Sequence, residues 1–169
     1  MKKLILFAVL AIVFASCKKS GSGSPLNTIT ATINDTVYTF NNHVLDTTIY
    51  QSSDSELGIE LVAEDLDLNT IGLIMADRHA APLKATTYGS TGDTTHIGGM
   101  QFQLHLGSYS NLSFPSGPNP LTITVNTLTS TSIQGTFKGT IFLNGDTASA
   151  NRKTVTNGTF NFTKPLVIQ

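Results

Sequence analysis

Cys17 is the only cysteine of the 169-residue chain, and the residues before it decide what chemistry it could do. Two lysines near the start are followed by an unbroken apolar run over residues 4–14 and then by Ala15 and Ser16. A basic start, a short apolar middle and a small-residue exit are typical of a secretory signal peptide, whereas a membrane-spanning helix needs roughly 20 apolar residues. A cysteine at this exit is a candidate for lipid attachment.

The four residues that end at Cys17, Phe-Ala-Ser-Cys, resemble the bacterial lipobox, in which the cysteine receives diacylglycerol and becomes the first residue of the mature chain. The resemblance implies that residues 1–16 are a signal peptide and that the lipid bilayer is a partner through acylated Cys17. Each buried methylene of an acyl chain contributes about 0.8 kcal/mol, so two or three chains would anchor the protein stably. Residues 17–25 are rich in Gly and Ser and predict a flexible tether.

Other reactive side chains are sparse. Asp77–His79 and Asp93–His96 are the two close acid–histidine pairs, and no pair of histidines has the strand spacing of zinc ligands. The sequence also lacks the Gly-x-Ser-x-Gly pattern of a serine nucleophile. We therefore predict no catalytic residue, no metal site and no cofactor. The four histidines are interpreted as surface loop residues: His43, His79, His96 and His105.

The acidic stretch over residues 64–69 is the nearest approach to a calcium loop. It interposes Leu66 and Leu68 between its acids and lacks the glycine of such loops, so we interpret it as the edge of a strand and its turn. Removal of residues 1–16 leaves a net charge of about −3 with scattered basic residues. This excludes the basic footprint of a nucleic-acid-binding protein.

From residue 26 to residue 169 the pattern is that of strands and turns, which predicts a single all-β domain. Apolar and polar residues alternate with period two in several stretches, as in strands with one buried face. Asn34-Asp35 predicts the turn of a hairpin, and a bulge is expected near Asn157-Gly158 because Val155 and Phe160 are out of phase. Gly135 and Gly139 on one inward face predict a bend or the close approach of another backbone.

Many short strands separated by turn signals favour an antiparallel β-sandwich. A partly open or closed β-barrel is the alternative. Alternation argues against a parallel sheet, which would be buried on both faces.

The chain also resembles the small lipoproteins of Bacteroidota that carry all-β domains of unknown function. The resemblance rests on residues 31–38 (ATINDTVY), 85–88 (ATTY), 133–140 (IQGTFKGT) and 155–160 (VTNGTF). It implies an exported all-β domain on the outer membrane. Surface-exported members tend to have acidic residues after the cysteine, so Lys18-Lys19 favours the periplasmic side.

Two further sets of residues are candidate surface sites. Tyr88 and Tyr109 lie in or beside Gly/Ser-rich segments and are candidate aromatics of a carbohydrate-binding face. Asp-Thr pairs of the kind that Bacteroidota glycosylate place candidate O-glycans at four threonines: Thr36, Thr47, Thr94 and Thr147.

Together these features predict a membrane-anchored, non-catalytic β domain with a binding or structural role in the cell envelope. A carbohydrate or an envelope protein is the expected partner. The alternatives are a carbohydrate-active enzyme, which needs converging carboxylates, and a barrel carrier with an apolar cavity. The carrier predicts that four side chains line that cavity: Phe102, Leu104, Phe137 and Ile141.

Overall fold

The computed structural model describes residues 27–53, 56–79, 81–89, 93–104, 107–113, 121–163 and 167–168. The predicted signal peptide, Cys17 and the predicted tether lie outside these residues. The strands are β1 (Thr28–Ile33), β2 (Thr36–Phe40), β3 (His43–Ser53), β4 (Glu56–Glu64), β5 (Thr70–Asp77), β6 (Thr87–Tyr88), β7 (His96–Leu104), β8 (Gly107–Ser113), β9 (Thr122–Leu128), β10 (Ile133–Leu143), β11 (Arg152–Phe162) and β12 (Val167–Ile168).

All of these strands belong to one sheet that curls until it is nearly closed and barrel-like. The strand order is β12-β3-β4-β5-β7-β8-β10-β11-β1-β2. Two strands lie off this path: β9 pairs with β10, and β6 pairs with β9. Only the β12–β3 pair among these neighbours is parallel. The all-β prediction is confirmed. The preferred sandwich gives way to its barrel alternative, because one continuous hydrogen-bonded path links β3 to β2.

The inside of the curled sheet is filled by one hydrophobic core, to which almost every strand contributes alternate residues. β2 is held against β7 by aromatic packing in this core. The ring of Phe102 lies 5.3 Å from that of Tyr38 and 6.0 Å from that of Phe40, both edge to face. Such pairs stabilise beyond the area they bury. Aromatic contacts therefore help to close the sheet at β2, which has no second neighbouring strand among the described residues.

The core also contains three of the four side chains that the carrier alternative assigns to a ligand cavity. Phe102, Phe137 and Ile141 are at most 2% exposed within the hydrophobic cluster, and Leu104 packs against it. These side chains contribute to the packed interior. No helix in the described part of the chain is long and apolar enough to cross a membrane.

The predicted hairpin is confirmed. β1 and β2 pair from Ile29–Phe40 to Ile33–Thr36 around the two-residue turn Asn34-Asp35. Both turn residues have positive φ, 45° and 65°, as a type I′ turn requires. Asn and Asp tolerate this left-handed conformation better than other non-glycine residues, so Asp35 can stand where glycine is common.

The bulge and the glycine contacts predicted for the C-terminal strands are also confirmed. The pairs Phe137–Gly158 and Gly139–Val155 enclose one residue of β10 and two of β11, and Asn157 has a φ of 50°. A Cβ on Gly135 would overlap the carbonyl oxygen of Thr124, and one on Gly139 would lie 2.8 Å from the Cα atom of Leu121. Neighbouring backbone comes this close because these glycine positions lack side chains.

Candidate functional site

The pairing of β5 with β7 brings both predicted acid–histidine pairs to one place. Asp77 lies directly across from His96 in the ladder, and Asp93 lies three residues before His96. The Nδ1 atom of His96 is 2.7 Å from Oδ2 of Asp93, and its Nε2 atom is 3.7 Å from Oδ2 of Asp77. The histidine side chain is only 15% exposed. The prediction of a surface loop histidine is therefore wrong for His96.

The two carboxylates are also engaged by the backbone around them. Oδ1 of Asp93 accepts hydrogen bonds from the N–H groups of Thr95 and His96 at 2.8 and 3.0 Å, and Oδ1 of Asp77 accepts from the N–H of His79 at 2.8 Å. Desolvation acts to raise the pKa of Asp93, but the hydrogen bonds from His96 and Thr95 outweigh it and hold the pKa below the ordinary 3.8. The contacts among Asp77, Asp93 and His96, called the His96 cluster below, thus hold the loop before β7 against the end of β5.

An acid–histidine–acid arrangement can move protons when a substrate or nucleophile reaches the free ring nitrogen. Here Nε2 of His96 is buried and has no hydrogen-bond partner among the described residues. At 3.7 Å the Asp77 contact is electrostatic and too long for a hydrogen bond. No group of three potential ligands in the described ranges could hold a metal ion. The geometry is therefore that of a polar clamp between loop and sheet.

The low pKa of Asp93 predicts an acid-dependent contribution to stability. A folded-state pKa below the unfolded value stabilises the fold above about pH 3.8, and this contribution is lost as the pH falls through the folded value. Asp93→Asn should lower the free energy of unfolding by about 1 kcal/mol at pH 7, with the difference from wild type shrinking at pH 2–3. Urea unfolding at both pH values measures this.

The matched control is Asp146→Asn, which alters another turn aspartate whose Oδ1 accepts the N–H of Ala148 at 3.0 Å. It contacts no histidine among the described residues, so its effect should be small. An Asp93→Asn difference that stays constant from pH 7 to pH 2 would contradict the assignment.

Tyr88 lies beneath this cluster, and the prediction that it belongs to an exposed binding face is wrong. Its side chain is 1% exposed and packs edge to face on His96 with 5.5 Å between ring centroids. Its hydroxyl donates to the Lys84 carbonyl oxygen at 3.0 Å. Burial raises the pKa of Tyr88, the hydrogen bond that the Lys84 N–H donates to its hydroxyl oxygen at 3.3 Å lowers it, and the charge of Asp77 raises it further, with a net rise. β6 turns this ring inward because it continues the barrel wall beside β9.

Tyr109, the other candidate aromatic, is half-buried against the core. The Nζ atom of Lys153 lies 4.7 Å from the centre of its ring, a cation–π distance. Its ring is therefore already covered on one side and does not offer an open platform to a sugar.

The remaining sequence candidates are placed as follows. His43 is exposed and its Nδ1 lies 3.3 Å from Oε1 of Glu64, while His79 lies exposed in the turn after β5. His105 lies outside the described residues. Three threonines of the Asp-Thr pairs are exposed, namely Thr36, Thr94 and Thr147, and Thr47 lies on β3. Glycosylation at these positions stays a prediction.

The acidic stretch over residues 64–69 forms a tight turn after β4. Asp65 is buried, and its carboxylate accepts hydrogen bonds from the N–H groups of Asp67 and Asn69 and from the Asn69 side chain, each at 2.9 Å. Leu68 has a φ of 61°, a conformation that bulky residues avoid. Leu66 and Leu68 are nevertheless 81% and 59% exposed. The hydrogen bonds to Asp65 thus hold the turn, and with it the strained backbone of Leu68, in a conformation that exposes both leucines to solvent.

This turn and β2 enclose an open groove of about 430 Å³. Val37, on the outer face of β2, is 72% exposed beside it. The groove follows the unpaired edge of the sheet, since β2 is the last strand of the path. Its lining combines polar, apolar and acidic residues: Thr36, Val37, Tyr38, Thr39, Asn41, Asp65, Leu66 and Asp67. We name it the edge groove and regard it as the candidate binding site.

Sequence reasoning missed the edge groove. The two exposed leucines were a visible signal, because they interrupt an acidic turn where polar residues would suffice. Nothing local shows that this turn faces β2, which precedes it by some twenty-five residues. Comparison with protein-family models, with curated proteins and with solved structures finds no match.

Proposed function

We propose that this protein is a lipid-anchored, non-catalytic binding domain of a bacterial cell envelope, held by acylated Cys17 on the periplasmic side of the outer membrane. The observation that carries the anchor is the sequence before Cys17, with its basic start, its eleven-residue apolar run and its small-residue exit. The similarity to Bacteroidota lipoproteins supports the same location. A Gly/Ser-rich tether would leave the domain free to meet a partner.

Binding is favoured over catalysis by how the polar groups are used. The carboxylates around His96 are engaged by the histidine and by turn N–H groups, which is the arrangement of a structural clamp. The edge groove, in contrast, presents exposed apolar side chains beside the outer edge of β2, which pairs with no strand among the described residues. Exposed apolar groups rimmed by polar ones mark interaction surfaces.

Metabolic labelling tests the anchor. When bacteria expressing the full chain grow with labelled palmitate, the protein should carry the label and sediment with the membrane fraction. Cys17→Ser should abolish both, because the thiol is the attachment point, and Ser16→Ala, which keeps a small residue before the cysteine, should retain both. An unlabelled wild-type protein, or a label that survives Cys17→Ser, would overturn the proposal.

A further inference from the structure

The edge of β2 is open to another strand. The two-residue turn makes Ile33 and Thr36 a hydrogen-bonded pair, and in an antiparallel ladder such pairs alternate with non-bonded ones. The N–H and C=O groups of Val37 and Thr39 therefore point away from β1. Neither residue has a backbone hydrogen bond on this side within the described part of the chain.

Nothing in β2 discourages such pairing. Natural edge strands are usually protected by charged residues, proline or a bulge. The sequence of β2, Thr-Val-Tyr-Thr-Phe, contains no charge and no proline, and its ladder with β1 is regular. An extended peptide backbone can pair with two outward N–H and two outward C=O groups spaced along a strand.

The residues that line the edge groove indicate which side chains a peptide paired with β2 would carry. Val37 and Leu66 expose apolar surface that an apolar side chain would cover. Asp65 and Asp67 supply negative charge, and no lysine or arginine is among the groove residues. Since alternate residues of a strand point to opposite sides, a matching segment alternates apolar and basic residues.

We propose that the edge groove binds an extended peptide segment of another envelope protein, with alternating apolar and basic residues, by addition of a strand to β2. The segment pairs with Val37 and Thr39, covers Val37 and Leu66 with its apolar side chains and directs its basic side chains toward the exposed Asp67. This inference rests on the binding role in the proposed function and names the class of partner.

The test uses the full mature lipoprotein in detergent micelles and a fluorescent six-residue peptide of alternating valine and lysine. Fluorescence anisotropy at low salt should show saturable binding. Hydrogen exchange should show that the amides of Val37 and Thr39 become protected when the peptide is added. A peptide N-methylated on the amides that face β2 should bind at least about tenfold more weakly, because it keeps its charge but loses the ladder bonds.

Protein variants test strand pairing and charge attraction separately. Val37→Pro removes an outward N–H without touching the β1 ladder and should weaken binding at least about tenfold. Asp67→Asn should weaken it about threefold at low salt and little at high salt, whereas Asp146→Asn, outside the groove, should leave it unchanged. If Val37→Pro fails to fold, the N-methylated peptide still tests the proposal on the unchanged protein.

Each of the following results would overturn the proposal. The first is no binding up to about 1 mM peptide, and the second is equal binding of the N-methylated peptide. Protection of the Val37 and Thr39 amides without peptide would show that the edge is already occupied, by a second copy if it depends on protein concentration and by the chain itself if it does not. Failure of palmitate labelling would remove the anchor but leave peptide binding intact, so the two failures are distinguishable.

Discussion

Gly135→Ala is expected to lower the free energy of unfolding by about 3 kcal/mol or more, because β10 has no room for a side chain there. The added Cβ would overlap the carbonyl oxygen of Thr124 and the ring of Phe160, and its distance to the second ring carbon would be 2.8 Å. The carbonyl belongs to the neighbouring strand and cannot rotate away. Urea unfolding followed by circular dichroism measures the loss.

Gly72→Ala is the matched control, since it adds the same methyl group to another strand. There the new Cβ would meet Val62 Cγ2 at 3.8 Å and Gln101 Cβ at 3.9 Å, which are ordinary contacts. Stability should change by less than about 1 kcal/mol and toward stabilisation, because alanine loses less backbone entropy on folding than glycine. Equal effects of the two substitutions would show that β9, β10 and β11 do not pack as closely as described.

Phe102→Ala is expected to cost about 3–5 kcal/mol, the range for removing a fully buried phenylalanine. Its ring is 0% exposed and contacts both Tyr38 and Phe40, so the substitution removes the packing that holds β2 against β7. Hydrogen exchange in the β1–β2 hairpin should accelerate more than exchange in the β4–β5 ladder. Denaturant unfolding and exchange mass spectrometry report the two effects.

Phe102→Leu keeps most of the apolar volume and should cost only about 1–2 kcal/mol. Thr39→Ala, on the outer face of β2, should change stability by less than about 0.5 kcal/mol. A small loss for Phe102→Ala would mean that aromatic packing does not hold β2 in place.

Local features of the fold were readable from the sequence. The turn Asn34-Asp35 combines two residues that accept positive φ with alternation on both sides, so hairpin and register follow from neighbouring residues. The bulge near Asn157 was visible as a break in period, and the close approach at Gly135 as a missing side chain on an inward face. Each of these signals lies within one strand or turn.

The closure of the sheet and the sites were not readable in this way. Whether strands form a sandwich or a barrel depends on strand tilt and stagger, which alternation does not encode. The meeting of Asp77 with His96 depends on β5 pairing with β7 across an intervening β6 that joins β9 instead. Tyr88 looked exposed because glycine and serine follow it, but its two-residue strand completes the wall and turns the ring inward.

The position of β1 has a mechanical consequence. β1, the first described strand after the predicted tether, is bonded on both sides, to β11 and to β2, over five residue pairs each. If the proposed membrane anchor pulled along β1, both ladders would carry the load in shear. Their hydrogen bonds would then have to break together rather than one at a time. A pull on the domain from that end would therefore meet a strand that is held on both sides.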